Sequence, residues 1–307
     1  MKRNIIANLK IMISRRSLWC VLGILLVLST ANVILNSYNQ IGECIDNVSA
    51  ASVNYIMNWS GKFVTIVVYL SLVLLAIPYA NANILDRKRN SHYFILCRTE
   101  KKSWYFSQLI VTMFGTFIVF LLPLLFNIAL NEIIYAENGN YTIINEQGQY
   151  LESYFMSITG ADSWSKRGLL FRKLVYFYPQ IYNLLYALLF SFSLAVFAGF
   201  LYAISLYINK LSVIIYVLPL LAVLGAKTFD AELYDKGIAI TTDYLPYVYV
   251  SYCKPYTNYY VFWTLCVVLL IWAVVLTLMK GKCDELLTKR DNVFFHHVDS
   301  NRLYCNY

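Results

Sequence analysis

Charge is what this sequence has least of. Only 14% of its 307 residues are Asp, Glu, Lys or Arg, while 59% are hydrophobic and the mean hydropathy is +0.56. No stretch is polar over enough length to build a sizeable soluble domain. The formal net charge of +8 therefore does not point to nucleic acid, which needs a basic face on a folded soluble surface. The phosphate-loop pattern G-x-x-x-x-G-K-[ST] is missing, which excludes nucleotide binding of that kind by this chain. Histidine is nearly absent: His92, His296 and His297 are all there are. The adjacent pair has no partner three or four residues away to complete a helical metal site, and Cys283 and Cys305 add no regular ligand spacing. No metal or cofactor is expected on this chain.

What is present is apolar runs. Six of them, 19–36, 63–80, 110–129, 185–206, 211–226 and 259–279, approach the roughly 20 residues that a helix needs to cross about 30 Å of hydrocarbon. The fifth is short and carries Pro219. The 42 charged residues all fall in connections or at boundaries. That argues against ion-coupled transport and proton relays, which use ionisable groups at membrane depth, and against a membrane-embedded enzyme, which needs paired acids or ligands there. The first run is longer than the usual apolar core of a signal peptide, and no small-residue cleavage site follows it, so it is read as an uncleaved span.

Six spans place both ends of the chain on one side. With the N-terminus in the cytoplasm, 17 of the 25 Lys and Arg lie inside, with only 6 of the 17 acidic residues, and the positive-inside rule favours that orientation. The expected fold class is an all-α membrane protein with six transmembrane helices in 17–280, cytoplasmic N- and C-termini and a cytoplasmic tail at 281–307. Residues 1–16, "MKRNIIANLKIMISRR", put Ile5, Ile6, Leu9, Met12 and Ile13 on one arc and leave Asn8 and Lys10 outside it. This is either an amphipathic helix lying in the headgroup plane against anionic lipid or an ordinary basic flank.

The outer connections are 37–62, 132–178 and 227–258. In the longest, "ENGNYTIINEQGQY" places β-branched residues between Asn-Gly and Gln-Gly pairs, the pattern of a small hairpin. The later part, "LLFRKLVYFYPQIYNLL", is expected to pack along the outer membrane surface. Cys44 and Cys253 are the two cysteines on the outer side, so they alone are candidates for a disulfide. Sequons at Asn47, Asn58 and Asn140 are outside too, and chance accounts for three in an Asn-rich chain.

One connection stands apart. "LDRKRNSHYFILCRTEKKSW", 85–104, holds six basic residues around the cluster Tyr93, Phe94, Ile95 and Leu96. It is too charged for lipid and too short to fold alone, and its apolar cluster needs a surface to cover it. That surface is either the membrane interface or a partner.

In its order of parts the chain resembles the ABC-2 type permeases, the membrane subunits of ATP-binding-cassette exporters. The likeness rests on six spans, the basic amphipathic start, the acidic-basic cluster followed by "FILCRTEKKSWYFSQLI" running into the third span, and "YPQIYNLLYALLFSFSLAVFAGFLYAISLYINK". The resemblance implies a multi-pass place in the cytoplasmic (plasma) membrane of a bacterium and two ATPase subunits carrying ATP and Mg. It also implies a second permease copy or a related permease, and an amphipathic cargo such as a peptide, lipid or drug. By position, Arg87, Lys88, Arg89, Phe94, Arg98, Glu100 and Lys101 would form the coupling contact with the ATPase. Ala195, Ala198 and Gly199 would allow close helix approach. The chain itself would not be an enzyme. It departs from the family in its long outer loop and in reading "LDRKRN" where an acidic-Gly pairing is usual, which leaves cargo and the acidic contact open. The rival is a non-transporting membrane protein, a sensor, assembly or immunity factor, that acts through the outer loop.

Overall fold

The computed structural model describes residues 1–39, 41, 51, 54–57, 62–88, 100–135, 142–144, 150–153, 178–208, 216–221 and 263–284. Within them the chain is helical apart from one small hairpin. The elements are α1 (Lys2–Ile13), α2 (Arg16–Asn39), α3 (Lys62–Leu74), α4 (Ala82–Lys88), α5 (Lys101–Ile134), β1 (Thr142–Ile144), β2 (Tyr150–Ser153), α6 (Pro179–Ser205) and α7 (Trp263–Asp284).

Four helices, α2, α5, α6 and α7, are long and apolar enough to cross a membrane, which makes this a membrane protein. At 1.5 Å per residue, the 24 residues of α2 reach about 36 Å and the 34 of α5 about 51 Å, so α5 is longer than hydrocarbon requires. Pro179 opens α6 at its first turn, where a missing N–H costs nothing and the fixed φ suits a helix. Pro123 sits inside α5 and leaves a carbonyl one turn back without its usual donor.

The run 63–80 does not form one helix. Its 13 helical residues, α3, reach about 20 Å. The chain then turns without regular helix from Leu75 to Asn81 and resumes as α4. Pro78 cannot donate to a helical ladder and pushes the residue before it out of the helical region. Two tight turns replace the ladder, Ile77 N to Leu74 O at 3.0 Å and Ala82 N to Tyr79 O at 2.8 Å. Leu75, Ala76, Tyr79, Ala80 and Ala82 have no exposure. Irregular backbone of this kind persists in a membrane protein only when other protein covers it. Of the fifth run, only 216–221 is described, and it is helical.

The core lies where α5 meets α6, α2 and α1. A Cβ on Gly199 of α6 would stand 2.8 Å from Met113 Cγ on α5, and Ala195 and Ala198 are buried. These small residues do allow close approach. On the other face of α5, a Cβ on Gly115 would overlap the Met12 thioether of α1.

α1 runs alongside the first turns of α5. Asn4 Nδ2 donates to Ser103 Oγ at 3.2 Å and Asn8 Nδ2 to Ser107 Oγ at 2.7 Å, each pair 99 positions apart. A constant offset means two helices side by side and parallel. Asn8, set outside the apolar arc by the sequence, is fully buried because this hydrogen bond carries α1 onto α5. The expected hairpin is present: Thr142 pairs with Ser153 and Ile144 with Tyr150, antiparallel, with a register shift between them.

Candidate functional site

The described part of the basic connection is its two ends. Arg87 and Lys88 close α4, where the helix C-terminus favours cations, and Glu100 is the N-cap of α5 with Lys101 its first residue. Arg89, Phe94 and Arg98 lie outside the described residues, as do Cys44, Cys253, His296 and His297. What the structure adds is how those two ends are held.

At the leading end stands Asp86. Gln108 Nε2 of α5 donates to its Oδ2 at 3.1 Å, and Arg15 Nη2 faces its Oδ1 at 3.8 Å. Arg15 follows α1, donates from Nη1 to Asn81 Oδ1 at 3.1 Å, and lies with its guanidinium 4.6 Å above the Tyr79 ring. Asn81 in turn donates to Tyr216 Oη at 2.6 Å. The side chains of Arg15 and Asp86 are only 10% and 13% exposed. The non-helical turn 75–81 thus delivers both Tyr79 and Asn81 to the arginine, which a continuous helix would have set on nearly opposite faces.

At the trailing end stands Asp284, the last residue of α7. Tyr105 Oη of α5 donates to its Oδ2 at 2.8 Å, Lys280 Nζ pairs with its Oδ1 at 3.0 Å, and Lys101 Nζ donates to its backbone carbonyl at 2.9 Å. Gly281 permits the approach: a Cβ there would come within 2.9 Å of Lys102 Cα.

Buried side chains join the two carboxylate centres. Tyr202 Oη of α6 donates to Gln108 Oε1 at 2.9 Å and has the Tyr105 carbonyl at 3.2 Å. Tyr79 Oη donates to Asn8 Oδ1 at 2.9 Å, which brings α1 into the same network. In a poorly solvated setting such bonds reinforce one another, and a missing partner is costly. One end of the bundle therefore gathers α1, α4 and the last turns of α6 and α7 around the start of α5.

Neither a protein-family model, a curated protein nor a solved structure matches this chain, so its chemistry has to be read from these contacts. Among the described residues no group of three His, Cys, Asp or Glu side chains could hold a metal ion. The network fixes where a basic segment leaves the bundle and where it returns.

The sequence reading assigned contacts within the segment and missed the network behind it. Asp86 was read only as half of an acidic-basic cluster, and Arg15 only as a basic flank. Gln108 sits two residues before the third apolar run, and Tyr202 is one of 27 tyrosines. The signal was the placing of Ser103 and Ser107, four apart, on one stripe of a helix continuous with that run, with the polar Gln108 on an adjoining face.

Proposed function

We propose that the chain is the permease subunit of an ATP-binding-cassette exporter, and that the basic segment 87–102 is its contact with a separate ATPase. The observation that carries this reading is the anchoring of both ends of the segment to part-buried carboxylates, Asp86 of α4 and Asp284 of α7, held by side chains at the start of α5. A plain topological loop has no need of such anchoring. A lever does, since force applied to an untethered loop is lost in bending the loop. The broken second run supports the reading too, because non-helical backbone sheltered by protein is typical of membrane proteins that rearrange.

On this reading the end carrying the network faces the cytoplasm, as the basic excess favours. Closure of two ATPase subunits on ATP pushes the segment, and two permeases move around a central path for an amphipathic cargo. Arg87, Lys88, Arg89, Arg98, Glu100 and Lys101 supply charge at the contact, and Phe94 the apolar anchor. Affinity purification in mild detergent, with mass spectrometry of what stays bound through moderate salt, tests it. A stoichiometric phosphate-loop protein is expected with the native chain and is lost with Phe94→Asp. Undiminished binding by that variant overturns the contact.

A second reading, a non-transporting protein that acts through its outer loop, draws on the hairpin Thr142–Ser153. It predicts no ATPase in the same purification.

A further inference from the structure

Asp86 and Gln108 are 22 positions apart in the chain and 3.1 Å apart in space. Between them runs the whole basic segment, so this hydrogen bond spans its neck. Gln108 has both arms of its amide engaged, Nε2 on Asp86 and Oε1 on the Tyr202 hydroxyl. That hydroxyl also lies against the carbonyl of Tyr105, whose own phenol holds Asp284. Gln108, Tyr202 and Tyr105 are all fully or almost fully buried, so water does not compete for these bonds. The path from α4 to α7 is a chain of four contacts, the inner two buried and the outer two part-buried, in which Gln108 is the member that touches the leading end.

We propose that Gln108 and Tyr202 are positioning residues that clamp the neck of the basic segment, so that its leading and trailing ends, with α6 and α7, move as one body. Without the clamp, α4 keeps its contacts with Arg15 and with Ser205 of α6 but loses its tie to the start of α5, so a push on the segment is passed less fully to α7. The inference deepens the coupling reading, yet it concerns contacts inside this chain. A failure here leaves ATPase docking untouched, and a failure of docking leaves the clamp intact.

Hydrogen exchange read by mass spectrometry on the full chain in lipid nanodiscs tests it, with Gln108→Leu and Tyr202→Phe. Gln108→Leu is expected to raise amide exchange in peptides covering both 82–88 and 280–284, by about threefold to tenfold, the equivalent of one net hydrogen bond. Tyr202→Phe keeps the ring and removes only the hydroxyl, and is expected to raise both in the same direction by less. Exchange that rises at 82–88 alone, with 280–284 unchanged in both variants, overturns the clamp and makes Gln108 a local partner of Asp86. Should Gln108→Leu not fold, Tyr202→Phe decides between the same two outcomes.

Discussion

Two polar seams run through this bundle, and they differ in kind. The first, described above, holds ions: Arg15 against Asp86 and Lys280 against Asp284, with amides and phenols between them. The second lies further along α2 and α5 and is neutral throughout. Ser29 Oγ donates to the Pro123 carbonyl at 2.9 Å, Asn127 Nδ2 donates to Ser29 O at 3.0 Å and Asn32 Oδ1 at 3.1 Å, and Ile56 N donates to Asn127 Oδ1 at 3.0 Å. Asn131 reaches back to the Asn127 carbonyl at 2.9 Å, and Ser37 meets Tyr135 Oη at 3.0 Å. The neutral seam follows the disturbance that Pro123 makes in α5 and fastens α2 beside it. Amides and hydroxyls suffice there because nothing else has to be gathered.

The ionic seam joins five helical elements at the place where a charged segment leaves and returns. Buried ion pairs contribute little net stability, since desolvation offsets attraction. Their presence, among the described residues, at one end of the bundle fits an end whose geometry must be specified, since displacing Arg15 or Asp86 breaks contacts to Asn81, Tyr79 and Gln108 together.

Five substitutions set the two seams against each other. The largest effect is expected from Arg15→Leu, which removes the guanidinium that faces Asp86 and donates to Asn81: a loss of about 3 kcal/mol, measured as unfolding in a detergent titration. Pairing it with Asp86→Leu should restore most of that loss, since removing both charges is far milder than removing one. Next comes Gly281→Val, whose side chain has only the Lys102 backbone to enter; about 1–3 kcal/mol is expected from overpacking, with α7 loosened in hydrogen exchange and α2 unaffected. Asn127→Ala should cost about 1.5 kcal/mol, in the upper range for interhelical hydrogen bonds in membranes, and loosen α2 from α5 while leaving the Asp86 neck intact. Ser37→Ala is the mildest, about 0.5 kcal/mol, visible as faster exchange near Tyr135. If Asn127→Ala disturbs the basic end as strongly as Arg15→Leu does, the two seams are not separate units.

Much of the helical framework was legible because long apolar runs have few solutions in a membrane. Runs 19–36, 110–129, 185–206 and 259–279 each fall largely within α2, α5, α6 and α7. The hairpin followed from β-branched residues set between turn dipeptides. The break after Leu74 was less legible: Pro78 stands in an otherwise apolar run, and hydropathy does not register a missing donor. Least legible was the network. Several of its pairs are far apart in the chain, 66 positions at Arg15–Asn81 and 183 at Lys101–Asp284, and pairing at that range depends on packing that no local pattern encodes. Asn8 illustrates the limit, since a polar residue off the apolar arc reads as solvent-facing unless the serine opposite it is known.

The account stands on the basic segment touching an ATPase, and the chain carries its own probe. Cys97 lies within that segment, three residues beyond Phe94. A short thiol-directed cross-linker applied to native membranes, followed by mass spectrometry of peptides joined to Cys97, reads the contact directly. The expected result is a peptide from a protein bearing a phosphate loop, absent in a Cys97→Ser chain. Efficient labelling of Cys97 with no such protein attached, in membranes where the chain is folded and abundant, would contradict the permease reading and leave the segment resting on lipid.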